Sequence, residues 1–157
     1  MSAGDSHTVE RQFPLLGLDI SDTRIGLAVM ESPAAPAQPM FTYLRVTRAK
    51  DLAQCAEWVR RYQIGTVVLG LPLNMDGSPG PRAQWMRRFA RELQERVTVP
   101  VVLQDERLTT VEANELLLAR GITHAERAER VDAVAAALIL QRFCTEGTSH
   151  QVEEGPS

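Results

Sequence analysis

The sequence has few of the residues that build disulfide frameworks and zinc sites. It contains two cysteines and three histidines in 157 residues. Cys55 and Cys144 are far apart and form no Cys-x-x-Cys pair, which excludes a disulfide scaffold. The isolated positions of His7, His124 and His150 exclude the common zinc motifs. A low cysteine content with no disulfide framework is typical of a reducing cytoplasm, which is where we expect this protein.

Long apolar segments are missing as well. The longest apolar run, Ala133 to Leu140, is much shorter than the ~20 residues that cross a bilayer. Residues 1–12 are polar and lack the apolar core of a signal peptide, so we expect no membrane association. With 44% hydrophobic and 24% charged residues, the chain has the composition of one soluble globular domain.

The net charge of −3 argues against a protein that simply coats nucleic acid, but the distribution of charge changes this conclusion. Residues 12–144 hold sixteen basic and fifteen acidic residues. If four acids in this region bind metal, the remainder carries five more positive than negative charges. A positive scaffold around an acidic pocket suits a polyanionic substrate.

Apolar periodicity predicts one domain over residues 13–144, with disordered tails over 1–12 and 145–157. The element order is three strands, then helix, strand, helix, strand, helix, helix. Short connections favour antiparallel pairing of the first three strands, and the helical connections favour parallel pairing of the others. The predicted fold class is α/β, a mixed five-stranded sheet flanked by helices. The predicted strands are 14–20, 25–30, 40–46, 65–71 and 99–104, and the predicted helices are 51–62, from 81, 109–121, and from 127 or 131 to 143.

Four acidic residues lie at the ends of predicted core elements. Asp19 is near the end of the first strand, where a carboxylate has lost much of its water and needs a hydrogen bond, a cation or a metal. Asp105 and Glu106 follow the last strand, and Asp132 begins an alanine-rich segment. Carboxylates are hard ligands suited to Mg²⁺ or Mn²⁺, and two such ions can promote phosphodiester cleavage. We therefore predict a metal site.

Each acid also has a simpler interpretation, which the residues alone leave open. Asp19 can anchor the turn that follows it. Glu106 can form an ordinary ion pair with Arg107 or Arg24. Asp132 can complement the dipole at the start of the last helix.

The loop over residues 71–80 and Arg82 are predicted to contact substrate. Gly77 and Gly80 allow close approach of the backbone, and a helix N-terminus follows that favours phosphate. Asn74 can reach a phosphate or a sugar, and Arg82 can form a charge-assisted pair with phosphate. The alternative is a loop whose residues serve turn geometry alone.

Other residues near the acids also have two interpretations. Arg24 and Arg107 can steer the scissile phosphate or only balance the charge of the site. Trp85 fits the core better than a surface on which bases stack. Thr109 and Glu112 form a capping-box pattern that predicts the start of a helix there.

Four segments, in this order, carry a family resemblance: GLDISDTRIGLAV, GLPLNMDGSPGPRA, DERLTTVEA and VDAVAAALIL. Together they resemble the YqgF/RuvX family, and the resemblance covers roughly residues 14–144. It implies an RNase H-like fold related to the Holliday junction resolvase RuvC. Ser21 stands where many members of the family have glycine, and its side chain can stiffen the turn after the first strand.

The resemblance also implies a function and a ligand set. It assigns Asp19, Glu106 and Asp132 as metal ligands for Mg²⁺ or Mn²⁺, with Asp105 as a secondary candidate. It implies a metal-dependent nuclease in 5′ processing of pre-16S ribosomal RNA. A resolvase-like endonuclease for branched DNA and a non-catalytic nucleic-acid-binding module are the alternatives. The sequence leaves open whether the protein is a monomer or a homodimer.

Overall fold

A computed structural model describes residues 12–146 and 150–151 of the protein. Six strands form one sheet in the order β3-β2-β1-β4-β5-β6, and helices cover both faces. The strands are β1 Leu15–Ile20, β2 Arg24–Met30, β3 Gln38–Leu44, β4 Thr66–Leu71, β5 Val101–Asp105 and β6 His150–Gln151. The helices are α1 Arg48–Arg61, α2 Pro81–Gln94, α3 Thr109–Ala119 and α4 His124–Glu146.

The pairing confirms the predicted mixed α/β sheet. Strands β1, β2 and β3 pair antiparallel, because only short connections join them. Strands β1, β4 and β5 pair parallel, since α1 and α2 provide the crossovers.

The sheet has one strand more than the five that were predicted. The sixth, β6, pairs antiparallel with β5 through two residues that fall within the predicted C-terminal tail. Helix α4 also extends two residues into that tail, to Glu146. The rest of the predicted tails, residues 1–11, 147–149 and 152–157, lies outside the described residues.

Strand β1 is buried on both faces, and alternate residues point into different layers. Leu16 and Leu18 belong to the larger core, under α1 and α2, together with Phe89. Leu15 belongs to the smaller core under α4. Asp19 has the same parity as Leu15, so its side chain faces the α4 layer.

Helix α4 packs closely on the sheet because two of the strand positions beneath it are glycines. A methyl group added at Gly17 would lie 2.8 Å from the carbonyl oxygen of Ala136, and one added at Gly26 would lie 2.1 Å from the carbonyl of Asp132. Real Cβ atoms do not approach backbone this closely, so glycine at these strand positions allows the helix to pack.

The start of α4 differs from the prediction. The helix begins at His124 rather than at residue 127 or 131, so Asp132 is its ninth residue and not a helix-start residue. A capping box does open α4, with Thr123 Oγ1 accepting from the Glu126 amide at 3.3 Å and the Glu126 carboxylate accepting from the Thr123 amide at 3.4 Å.

The capping box predicted at the start of α3 is wrong. The residue before this helix is Leu108, in the left-handed conformation and with no side-chain cap. Thr109 is the first helical residue, and its hydroxyl donates to the Glu106 carbonyl at 2.8 Å. The predicted stop near Gly121 is confirmed, since this glycine has a φ of +75° just beyond the helix end.

Among the described residues, no helix is both long enough and apolar enough to cross a membrane.

Candidate active site

The fold brings two of the predicted acids into contact. Asp19 lies near the carboxyl end of β1, and Glu106 directly follows β5. Both strands run parallel to β4, which lies between them, so their carboxyl ends meet at one edge of the sheet. The two side chains are near enough for each to shift the pKa of the other. The turn-anchor interpretation of Asp19 is not needed, because Ser21 and Arg24 make the hydrogen bonds within the turn.

Gly70 of β4 makes this contact possible. A methyl group added there would lie 2.7 Å from Oε1 of Glu106 and 2.6 Å from Cδ1 of Ile139. The missing side chain leaves the space in which the two acids meet above the strand that separates them. Neither this glycine nor Gly26 stood out in the sequence, where the only signal was a glycine inside a strand-like apolar run.

Burial determines the protonation of the pair. It raises the pKa of Asp19 to about 6, with the hydrogen bond from Glu106 and the charge of Arg82 opposing the rise and the charge of Asp132 adding to it. Burial, followed by the charge of Asp19, raises the pKa of Glu106 well above its usual range. Two carboxylates this close cannot both ionise freely, so both acids in the metal-free pair keep their protons to a higher pH than ordinary carboxyl groups do.

This arrangement predicts that the acids destabilise the metal-free fold. The pKa of Asp19 is higher in the folded chain, so its penalty is full above about pH 6 and disappears below about pH 4. We expect Asp19→Asn to raise the free energy of unfolding by roughly 2–3 kcal/mol at about pH 8, and the gain to vanish near pH 4. Urea denaturation with chelator at several pH values measures this. A gain that is the same at every pH would contradict it.

Asp132 is a neighbour of this pair. Gly26 lies directly opposite Asp19 in the β1–β2 register, and the backbone of Asp132 packs onto that glycine. Burial raises the pKa of Asp132 and the charge of Arg24 lowers it. Within residues 12–146, no group of three or more His, Cys, Asp or Glu side chains is close enough to hold a metal ion together. The structure thus joins Asp19 with Glu106 and leaves Asp132 as a charged neighbour.

The pair has the chemistry of a divalent cation site. Oε1 of Glu106 is buried and has no hydrogen-bond partner in the described part of the chain. Asp19 is 6% exposed. Two hard carboxylate donors suit Mg²⁺, which proteins often bind through one or two carboxylates together with substrate phosphates. The ion-pair interpretation of Glu106 is wrong, because Arg107 pairs with Asp105 and Arg24 donates to the carbonyl of Ala128.

Asp105 has a different environment from Glu106. It forms an ion pair with Arg107, whose Nη2 lies 2.7 Å from Oδ2 of Asp105. Burial alone would raise the pKa of Asp105, but its hydrogen bonds with Arg107 lower it below the usual range. Arg107 also donates to the carbonyl of Met75 at 3.0 Å, which ties the loop after β4 to the end of β5.

The predicted substrate loop is organised by its own hydrogen bonds. The Asn74 amide group donates to the Ser78 hydroxyl at 3.0 Å, and Ser78 in turn donates to the Asp76 carboxylate at 2.6 Å. Gly77 has a φ of +89°, which favours glycine, while Gly80 directly precedes α2. The alternative interpretation, in which the residues of this loop serve turn geometry alone, therefore accounts for Asn74 and Gly77.

Arg82 reaches from the first turn of α2 towards the acids. It forms an ion pair with Asp22 at 2.6 Å and donates to the Ile20 carbonyl at 3.1 Å. Its charge lowers the pKa of both Asp19 and Glu106. Arg45, which the sequence did not single out, binds the same turn from the other side, with Nη1 donating to the Ser21 carbonyl at 2.8 Å.

Comparison with known proteins identifies the family. The family profile described as "RuvX: Holliday junction resolvase" matches residues 14–146. The chain belongs to the RuvX family. RuvX relatives named "Putative pre-16S rRNA nuclease" include one from Anaeromyxobacter sp. strain Fw109-5, 48% identical over 126 residues, or 80% of this chain and 92% of the relative. Another, from Thermoanaerobacter pseudethanolicus, is 39% identical over 130 residues, or 82% and 94% of the two chains.

Solved structures support the same fold. RuvC of Thermus thermophilus matches with a TM-score of 0.57 and 17% identity, over 88% of this RuvX chain and 99% of RuvC. The Fowlpox virus resolvase, solved with Holliday junction DNA, matches with a TM-score of 0.53 and 10% identity, over 85% and 98% of the two chains. The expected RNase H-like fold is therefore confirmed.

Proposed function

We propose that this protein is a metal-dependent nuclease that hydrolyses phosphodiester bonds during 5′-end processing of pre-16S ribosomal RNA in the cytoplasm. The observation that carries the proposal is the pair of carboxylates at the carboxyl edge of the sheet, the buried Asp19 and Glu106, whose Oε1 is buried and has no hydrogen-bond partner in the described part of the chain. Relatives that are 48% and 39% identical carry the name of a pre-16S rRNA nuclease, and the proposed substrate is taken from that name.

In this proposal Asp19 and Glu106 are the principal metal ligands, for Mg²⁺ or Mn²⁺. Asp132 completes the acidic site from α4, and Asp105 positions the neighbouring loop through Arg107. When bound, such a cation neutralises the carboxylates and supplies Lewis-acid chemistry to a phosphodiester. The neighbouring Arg24 is assigned to the phosphate backbone, because it is exposed enough to meet substrate and lies beside Asp132.

The test is cleavage of labelled substrates with each metal and with chelator. We expect cleavage of single-stranded RNA that carries the 5′ region of pre-16S rRNA, with Mg²⁺ or Mn²⁺, and none with EDTA, because chelation leaves only the unreactive acid pair. Matched single-stranded DNA and a four-way DNA junction are the comparison substrates. Cleavage that continues in EDTA would refute the metal-dependent mechanism.

A resolvase-like endonuclease for branched DNA is the second candidate. The description of the RuvX family and the likeness to RuvC favour it. Resolution of a junction requires two symmetric cuts, and so a dimer of this chain. Preferential cleavage of the four-way junction by a dimeric protein would select this function. Chelator-insensitive binding without any hydrolysis would instead indicate a binding module.

A further inference from the structure

Two arginines from outside the turn hold the backbone that follows Asp19. Arg45 donates to the carbonyl of Ser21 at 2.8 Å, and Arg82 donates to the carbonyl of Ile20 at 3.1 Å. These carbonyls belong to the two residues directly after Asp19, so any movement of the guanidinium groups is transmitted to the acid through at most two peptide bonds.

Trp85 is a residue of α2, and its indole lies against both arginines. Its ring centroid is 4.8 Å from Cζ of Arg45 and 5.7 Å from Cζ of Arg82, within the range of cation–π contacts. The ring also stacks on Phe89, at 5.3 Å and 17°. With these neighbours in contact with the ring, Trp85 is a poor surface for stacking on bases, as expected from the sequence.

Acidic partners fix the orientation of both guanidinium groups. Arg45 Nε donates to Oδ2 of the fully buried Asp51 at 2.9 Å, and Arg82 Nη1 donates to Asp22 at 2.6 Å. Each arginine thus uses one nitrogen for a carboxylate and another for the turn, and places its guanidinium group over the indole. Only the fork of arginine can make these contacts at the same time.

We propose that Trp85 is a positioning residue for the reaction, because it holds Arg45 and Arg82 against the turn and so sets the orientation of Asp19. The inference rests on the proposed nuclease function for its catalytic consequence. Its structural half, that the indole keeps the turn closed, stands independently.

The experiment compares Trp85→Leu and Trp85→Phe with Trp58→Leu. Trp58 is 2% exposed in the core, packs on Phe41 and Tyr43, and so controls for loss of a tryptophan. If Trp85→Leu does not fold, Trp85→Met takes its place. If Trp58→Leu does not fold, Trp58→Phe takes its place. One readout is amide hydrogen exchange in metal-free protein, followed at Ser21, whose amide donates to the Arg24 carbonyl at 2.9 Å. The other is kcat and KM for metal-dependent cleavage.

We expect exchange at the Ser21 amide to quicken at least about 10-fold relative to core amides in Trp85→Leu, and not in Trp58→Leu. We expect kcat to fall about 10-fold or more with little change in KM, and Trp85→Phe to restore most of it. Unchanged exchange, unchanged kcat, or the same kcat loss in Trp58→Leu would each overturn the proposal. Wild-type protein that cleaves nothing would refute the nuclease function, while the exchange data still decide whether Trp85 holds the turn.

Discussion

Replacing Asp19 by Asn, or Glu106 by Gln, is expected to reduce metal-dependent cleavage at least about 100-fold, because loss of even an indirect metal contact costs about 10–100-fold. Each change removes one of the two carboxylates in the pair and keeps the size of the side chain. The measurement is initial rate at saturating substrate over a range of Mg²⁺ and Mn²⁺ concentrations.

The matched control is Glu57→Gln. Glu57 is an exposed acid on α1 that pairs with Arg60 at 2.7 Å, on the opposite side of the sheet from the acid pair. The Glu57→Gln variant should cleave at the wild-type rate. Circular dichroism of each variant shows whether it is folded, so that a lower rate can be assigned to catalysis rather than to misfolding. If Asp19→Asn remained folded and cleaved at the wild-type rate, the assignment of the metal ligands would fail.

Gly26→Ala is expected to lower both stability and activity. Its Cβ would lie 2.1 Å from the carbonyl carbon and oxygen of Asp132 and 2.7 Å from the amide nitrogen of Ala133. These are backbone atoms that no rotamer change can move, so α4 must shift. We expect a loss near the upper end of the usual overpacking range, about 3 kcal/mol, or a Tm lower by about 6–12 °C. Displacement of Asp132 should reduce cleavage at temperatures where the variant is still folded.

Gly80→Ala provides the comparison for stability. The atoms nearest to its Cβ are in the Asn74 side chain, at 3.3 Å or more, and this side chain can move. The expected loss is below about 1 kcal/mol, the usual effect of replacing glycine before a helix. Equal melting temperatures for the Gly26 and Gly80 variants would show that α4 does not depend on the close packing described here.

The sheet was predictable because its strands are continuous apolar runs whose connections set their direction. Alternation along β5 predicts that Asp105 and Glu106 point to opposite faces, and the two acids do have different neighbours, with Asp105 paired to Arg107 and Glu106 lying over Gly70. The first turns of α4 were missed because they are polar and exposed, so apolar periodicity begins only near Ala133. The chain also contains two Thr-x-x-Glu patterns, and only the second caps a helix.

The contact between Asp19 and Glu106 could not be predicted from the sequence in this way. It depends on Gly70, whose role appears only when the path of Glu106 across β4 is known. The same holds for Arg45, whose partners on the turn after β1 are more than twenty residues away in the chain. Charge and hydropathy patterns report which layer a residue faces, whereas these contacts depend on distances of a few tenths of an ångström.

Gly17 and Gly26 form a glycine seam under α4, and this seam limits which sequence changes the site can accept. The helix contributes small residues there too, including the buried Ala133 and Ala136, so side chains on neither side can yield to admit a larger one. A library that varies this seam should return few active sequences. Variation in the 72–80 loop, whose side chains bond mainly to one another, should be tolerated far more often. New substrate preferences are therefore expected to arise in the 72–80 loop, while the acids stay unchanged.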